Sequence, residues 1–303
     1  MRCASGNHSF SECGFNSNDR GLLISGSITS VTQCTFQSNR WSIMVSGSSP
    51  VISSNRFANG TTEIEMHDFS TPVISHNLFA GAREPSSFGI YMTGKEGISP
   101  VIVNNTFTNY AYGCLVEPPE AGFSLARPVL RNNIFYTNLY SARWGGPIGG
   151  ATMYGDGDFL YNNVYNDDWQ SYQPPNDPPK HVGNIEADPL FSVENDYSLR
   201  YFSPSIDAGY PSDGCTLEPE PNGHCINQGH QGNTPQATRS FNILAGGSIT
   251  GATSWSGNVW VQRDVYVEDG ATLSIRRSAT IWSAPGANIW YSPRSRNPRI
   301  TPR

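Results

Sequence analysis

The stretch Pro50-Val51-Ile52-Ser53-Ser54-Asn55-Arg56-Phe57 decides how this chain is read, because it returns. It recurs as Pro72-Val73-Ile74-Ser75-His76-Asn77-Leu78-Phe79, as Pro100-Val101-Ile102-Val103-Asn104-Asn105-Thr106-Phe107 and as Pro128-Val129-Leu130-Arg131-Asn132-Asn133-Ile134-Phe135. Weaker copies run from Phe10 to Phe15, Val31 to Phe36 and Leu160 to Tyr165. Aligned on the polar residue before the aromatic, one column reads Cys13, Cys34, Asn55, Asn77, Asn105, Asn133, Asn163, at spacings of 21, 21, 22, 28, 28 and 30. Two positions later stand Phe15, Phe36, Phe57, Phe79, Phe107, Phe135 and Tyr165; three positions earlier stand Phe10, Val31, Ile52, Ile74, Ile102, Leu130 and Leu160. A fixed period with like residues in like places stacks one structural unit on the next.

A coil of about 21 residues with short β-type stretches and no helical period predicts an all-β, parallel β-solenoid. Neighbouring strands then lie ~4.8 Å apart, and six steps give a rod on the order of 30 Å long. Stacked carboxamides donate to one neighbour and accept from the other, so the Asn column reads as a structural ladder. The Phe column fills the bore, each ring worth roughly 1.5–3 kcal/mol on burial.

A second strand follows in each coil: Gly21-Leu22-Leu23-Ile24-Ser25, Ser42-Ile43-Met44-Val45-Ser46, Glu63-Ile64-Glu65-Met66-His67, Gly89-Ile90-Tyr91-Met92-Thr93, Gly113-Cys114-Leu115-Val116-Glu117 and Ser141-Ala142-Arg143-Trp144-Gly145. Period two turns Leu22, Ile43, Ile64, Ile90, Cys114 and Ala142 inward, with Ile24, Val45, Met66, Met92, Val116 and Trp144. The alternate positions point outward.

Residues 8 to about 175 carry this pattern, which resembles right-handed parallel β-helix proteins of the pectate-lyase-like, bacterial secreted type. That resemblance implies the fold and an exported, polysaccharide-related role. Residues 187–240 resemble the segment that often closes such β-helices, on Ala187-Asp188-Pro189-Leu190-Phe191, Asp196-Tyr197-Ser198-Leu199, Ser203-Pro204-Ser205-Ile206-Asp207-Ala208-Gly209 and Gly232-Asn233-Thr234-Pro235. Near Gly229 the usual small and aromatic residues are replaced by His230 and Gln231.

The composition agrees with turn-rich β structure: 15% charged residues, 30 Gly and 22 Pro, with 12% aromatic residues to build a core. A net charge of −6 argues against nucleic acid as a partner, which needs a basic stripe. It leaves an acidic polysaccharide open, because a local basic cleft can sit on an acidic protein. No stretch approaches the length of an apolar membrane-spanning helix. No signal peptide precedes the first coil, so extracellular or cell-surface location follows from the resemblance alone, and the abrupt start suggests a longer protein with a missing cap. Cys13 and Cys34 read as stacked thiols and Cys114 as core. Cys215 and Cys225 close a Pro-rich loop and could form a disulfide in an exported protein; without a CxxC motif, structural zinc is not expected.

Three regions follow. Residues 1–175 form the β-helix, 176–240 a linker and a closing segment packed along it, and 241–303 a small β-module or the start of a second solenoid with a disordered tail. Residues 166–186, with Pro174-Pro175 and Pro178-Pro179, read as extended chain rather than helix. An apolar outward column, Val51, Val73, Val101, Val129 and Phe159, calls for a cover, by the closing segment or by an oligomer contact.

The coils lengthen after the second strand, from 13 residues between Gly21 and Cys34 to 22 between Ser141 and Asn163, so the loops grow on one edge. Long loops on a rigid scaffold are where function is usually placed. The outward columns beside that edge read Leu23, Met44, Glu65, Tyr91, Leu115, Arg143 and Ser25, Ser46, His67, Thr93, Glu117, Gly145. A polyuronate lyase or epimerase needs a cation for the substrate carboxylate, a base and an acid. Arg143 or Lys95 would neutralise, and His67 or Tyr91 would transfer protons. Glu65, Thr93, Glu117 and Glu120 would bind substrate. Glu65, Asp68 and Glu117 offer oxygens for Ca²⁺, or would orient His67. The plainer reading makes His67 and Glu65 a surface pair and Tyr91 a cross-strand packing residue. Two functions therefore stand: a polysaccharide lyase or epimerase, or a non-catalytic surface, adhesive or glycan-binding module.

Overall fold

The structure is a computed structural model that describes residues 1–93, 97–117, 126–144, 157–166, 182–192 and 196–292, with backbone alone at 140–144. It contains two compact units: Met1–Glu218 with His224–Thr238, and Pro219–Gly223 with Arg239–Arg303.

The first unit is a parallel β-helix. Its coils build three seven-stranded sheets, each running in steps of three strands along the chain. The first sheet comprises Arg2–Ala4, Arg20–Ser25, Trp41–Ser46, Thr62–Met66, Phe88–Met92, Tyr112–Val116 and Tyr140–Trp144. The second begins at Asn7–Ser11 and the third at Gly14–Asn16. Every pairing in these sheets is parallel and in register, for example Val73 with Val51 and Val101, and Phe79 with Phe57 and Phe107.

Register puts like on like. The Phe15, Phe36, Phe57, Phe79, Phe107 and Phe135 rings stack at 4.5–4.9 Å, with interplanar angles of 12° or less. The rung spacing sets this separation, which lies within the range that stacked aromatic pairs favour. Beside the rings, Asn55, Asn77, Asn105 and Asn133 each accept from the backbone N–H of the preceding member at 2.9 Å. Their Nδ2 groups donate at 2.9 Å to the carbonyls of Val31, Ile52, Ile74 and Ile102. The column thereby satisfies buried main-chain groups at a corner where no strand partner exists. Cys34 substitutes in kind, its Sγ accepting from Cys13 N–H at 3.4 Å.

The last coil departs from the repeat alignment by one residue. Asn162, not Asn163, receives the N–H of Asn133, and Phe159 pairs with Leu130 in the core while Leu160 pairs with Arg131. Aligning on the aromatic Tyr165 shifted the sequence reading; Val164 is the residue opposite Phe135. Phe159 therefore does not belong to the outward column: it is buried. Asn163 turns outward and holds Ala187 O at 2.9 Å and Ser205 Oγ at 2.7 Å.

A second difference concerns the corner entering the first sheet. Period two turns Glu63 outward, yet Glu63 is fully buried. The cross-strand pairing skips Glu63 between Thr62 and Ile64, and Glu63 and Ile64 are both buried, as are Ser42 and Ile43 one coil earlier. Glu63 takes the space of a second carboxamide column. Elsewhere Asn39 accepts from Asn18 N–H at 2.8 Å and Asn138 from Tyr110 N–H at 3.0 Å. At this coil Gly60 offers no side chain, and its N–H donates to Glu63 Oε1 at 2.8 Å.

Residues after 182 bind the corner between the second and third sheets. Asn104 Nδ2 donates to Asn227 O at 2.8 Å and Gly229 N–H to Asn132 O at 2.7 Å; Asn132 Oδ1 accepts from Tyr210 N–H at 2.7 Å. Arg131 Nε and Asn132 Nδ2 both reach Asp213 Oδ2, at 2.7 and 2.8 Å. These bonds fall beside the valine column, not over its early part, and Val51 and Val73 remain 45% and 40% exposed. Cys215 and Cys225 are thiols and not a disulfide; the Cys225 thiol donates to Gly209 O at 3.3 Å.

The second unit is a small all-parallel β-module. Asn258–Val267 pairs with Ile243–Ile249, Thr280–Ser283 and Ile289–Tyr291, and Ala252–Trp255 pairs with Thr272–Ile275. Its core holds Trp255, Val259, Val261, Val265, Val267 and Leu273. Most of the Pro-rich stretch before 182, and the chain end from 293, lie outside the described residues.

Candidate functional site

The outer face of the first sheet carries the ionisable residues. Glu65 pairs in register with Tyr91, Tyr91 with Leu115, and Leu115 with Arg143. Leu115 thus separates Tyr91 from Arg143, whose backbones stand roughly 10 Å apart, two rungs. The Arg143 side chain, Lys95 and Glu120 lie outside the described residues. Trp144 and Ala142, read as inward, are described by backbone alone.

Among the remaining members, two contacts organise the face. His67 Nε2 lies 3.0 Å from Glu65 Oε1, the side chains being 25% and 12% exposed. The two residues are i and i+2, with His67 one position past the strand Thr62–Met66, and the 3.0 Å contact places both on one face. Tyr91, on the next rung, hydrogen-bonds Glu117. Burial pushes the Tyr91 phenol well up, and the Glu117 and Glu65 carboxylates add to the shift. Tyr91 is therefore a protonated donor at any ordinary pH, not a base. Thr93 Oγ1 turns to its neighbouring rung and donates to Met66 O at 3.1 Å. Among the described residues no group of three or more His, Cys, Asp or Glu side chains gathers as a metal site, so Glu65, Asp68 and Glu117 are not brought together. Glu65 is engaged with His67 and Glu117 with Tyr91, which spreads the acids over separate rungs.

An aromatic stripe beside this face escaped the sequence reading. Arg20, Trp41, Thr62, Phe88, Tyr112 and Tyr140 are successive partners in register. The signal was present: each stands one position before the second-strand segment of its coil. The middle rings of the stripe pack on their own neighbours. Phe88 and Tyr112 stack at 5.3 Å and 10°, and the Arg40 guanidinium lies 4.1 Å above Trp41. A ring stacked in this way presents an edge to solvent, which is unsuited to covering a sugar face.

Phe69 is different. It follows His67 and Asp68 at the end of the strand, is 64% exposed, and holds φ at 51°. A bulky residue in the left-handed region is uncommon and costs roughly 1–3 kcal/mol. Gly97 permits the arrangement: a Cβ there would lie 2.7 Å from Phe69 Cδ1. An exposed aromatic ring thus follows the His67–Glu65 pair by two residues in the chain.

Residues 3–118, which span these rungs, match the family model described as right handed beta helix region. No curated protein matches the chain. Among solved structures the chain is similar to AlyGC, a PL6 family alginate lyase, with 10% identity and a TM-score of 0.25 over 93% of this chain. The chain spans 65% of that protein's length.

Proposed function

We propose that this right-handed parallel β-helix is an exported, extracellular or cell-surface module whose first-sheet face binds polysaccharide. The observation that carries the reading is Phe69: an exposed aromatic in a left-handed conformation, two residues from a His67–Glu65 contact of 3.0 Å. Aromatic rings and mixed donors and acceptors are what a polyhydroxylated ring needs, one for its C–H face and the other for its hydroxyls. The ~4.8 Å rung spacing repeats polar side chains along the rod, so a linear polymer meets several in turn. The experiment is affinity electrophoresis of the full chain against neutral and uronate polysaccharides, with and without Ca²⁺. Retardation by at least one polymer that Phe69→Ala abolishes supports the reading; identical mobility in every gel overturns it.

A catalytic reading rests on a separate observation, the protonated Tyr91 on the rung beside His67. In a lyase or epimerase, His67 oriented by Glu65 would remove the proton next to the uronate carboxylate. Tyr91 would hydrogen-bond the leaving or epimerised centre. Arg143 or Lys95 would neutralise the carboxylate, with Glu120 and Glu117 at the substrate's edge. Ultraviolet absorbance of unsaturated products, together with proton exchange from solvent into the polymer, tests both chemistries. Activity lost in His67→Gln and Tyr91→Phe, with binding retained, separates catalysis from mere retention.

A further inference from the structure

Two thiols meet at the corner where the Asn column begins. Cys13 and Cys34 are level in neighbouring coils: Ser11 pairs with Thr32 on one side of them and Gly14 with Thr35 on the other, at the same offset of 21 residues. Rungs in register set their Cα atoms ~4.8 Å apart, and a disulfide spans Cα separations of about 4.4–6.8 Å. The two side chains point the same way. Cys34 Sγ accepts the Cys13 N–H at 3.4 Å, and each thiol donates at 3.3 Å to the carbonyl two residues before it, Cys13 to Ser11 and Cys34 to Thr32. The sulfurs also lie within hydrogen-bonding reach of each other. Asn55 continues the column beyond Cys34, and Cys3 belongs to the first sheet opposite Ile24, so neither neighbour brings a competing sulfur to this corner.

We infer that Cys13 and Cys34 are an oxidation site, a thiol pair that closes to a disulfide and staples the first coil to the second. Exposure orders the steps, because Cys13 is half-buried and Cys34 buried. With a small-molecule disulfide such as glutathione disulfide as oxidant, the Cys13 thiolate attacks one of its sulfurs and releases one glutathione thiolate. The Cys34 thiolate then attacks the Cys13 sulfur of the mixed disulfide and releases the second. Two protein thiols lose two protons and two electrons, and the oxidant takes them up as two glutathione thiols. Little is given up: Thr32 O keeps the Glu12 N–H at 3.2 Å, and the Cys13 bond to Ser11 is exposed. The first coil is where a crosslink gains most. Its strands Arg2–Ala4, Asn7–Ser11 and Gly14–Asn16 are the end members of their sheets, and Phe10 and Phe15 are only partly buried. A bridge restricts the opened chain and so holds closed a unit with few contacts of its own. Oxidising conditions of this kind go with the exported location proposed above, but the bridge does not depend on polysaccharide binding.

The test takes the full chain, fully reduced, and equilibrates it under native conditions with excess glutathione disulfide at about the pH where thiols ionise. Remaining thiols are alkylated and the peptides mapped by mass spectrometry. The expected product joins Cys13 to Cys34 within one chain, lighter by two hydrogens, and reverts with dithiothreitol. Hydrogen exchange at the amides of residues 7–16 should slow about tenfold in the oxidised protein relative to the reduced one. Cys13→Ser, which leaves Cys34 Sγ in place to accept the residue-13 N–H, should show no slowing after the same treatment. The inference is overturned if Cys13 and Cys34 stay alkylated, stop as mixed disulfides with glutathione, or pair with other cysteines, and equally if the only bridge found joins Cys215 to Cys225. A Cys13–Cys34 bridge that leaves exchange in the first coil unchanged overturns its role as a staple.

Discussion

The Tyr110 hydroxyl donates to Glu63 Oε1 at 3.1 Å inside the coil stack, where both side chains are fully buried. Ser42 Oγ reaches the other oxygen at 2.5 Å and Gly60 N–H the first at 2.8 Å. Burial is the dominant influence and raises the Glu63 carboxyl from 4.5 to about 7, against the three donors, which lower it. The folded state therefore holds this proton more tightly than the unfolded chain. Its stabilising effect is complete below 4.5 and is lost as pH rises through about 7. The loss amounts to about 3 kcal/mol. Thermal midpoints followed from pH 4 upward should show this slope in the wild type and lack it in Glu63→Gln.

Gly60 is required by the same carboxylate. A Cβ on Gly60 would lie 2.7 Å from both Glu63 oxygens. Neither oxygen can retreat without breaking a bond to Ser42, Tyr110 or the backbone. Gly60→Ala should destabilise by about 1–3 kcal/mol, as overpacked cores do. Urea unfolding of the two proteins measures it; an unchanged midpoint would mean that the carboxylate is free to move.

At the seam, pH acts in the opposite direction. Burial is the main cause that lowers His230 to about 4 and lowers His76 also; Asp196 raises His230, while His76 and Arg56 lower it further. These imidazoles stay neutral when folded, so their stabilising effect is present above their ordinary value of 6.5 and is lost as pH falls toward 4. Hydrogen exchange corrected for intrinsic rate should speed up selectively at Gly229 and Gly232 on acidification. The amides of Asn55 and Asn77 should not follow.

Asn77 ties its own coil to the one before. Its Oδ1 accepts from Asn55 N–H and Nδ2, at 2.9 and 3.0 Å, and its Nδ2 donates to Ile52 O at 2.9 Å. Asn77→Ala strands all three partners in a buried corner. The expected cost is roughly 3 kcal/mol or more, since each buried unmet group costs about 1–3. Denaturant titration reads it directly, and Asn77→Leu should be no better, because volume is not what the site lacks.

Phe69→Ala should remove the ring and keep the backbone strain, because the strain arises at the Cβ that Ala retains. Thermal stability should therefore hold, and affinity for the retained polysaccharide should fall about tenfold, or ~1.4 kcal/mol, the upper end of what an aromatic contact supplies. Calorimetry and a melting curve on the same sample separate the two effects.

The repeat by itself determined the β-helix, its ring stack and the inward columns from Leu22 to Val116. Stacked identical coils leave one way to bury Phe on Phe, so period alone specifies the arrangement. It also placed Glu65, His67 and Tyr91 on one outer face, because alternation along a strand is a local rule. Tertiary structure decided what breaks the period. The break in pairing before Ile64 left Glu63 buried, the last coil slipped so that Asn162 replaced Asn163, and Phe69 entered a left-handed conformation over Gly97. Register also separated Arg143 from Tyr91 by Leu115. His76, His230 and Gln231 are far apart in sequence and none repeats. Only the return of the chain across the coil corners brings them to one cleft, because contacts between distant segments follow no local period.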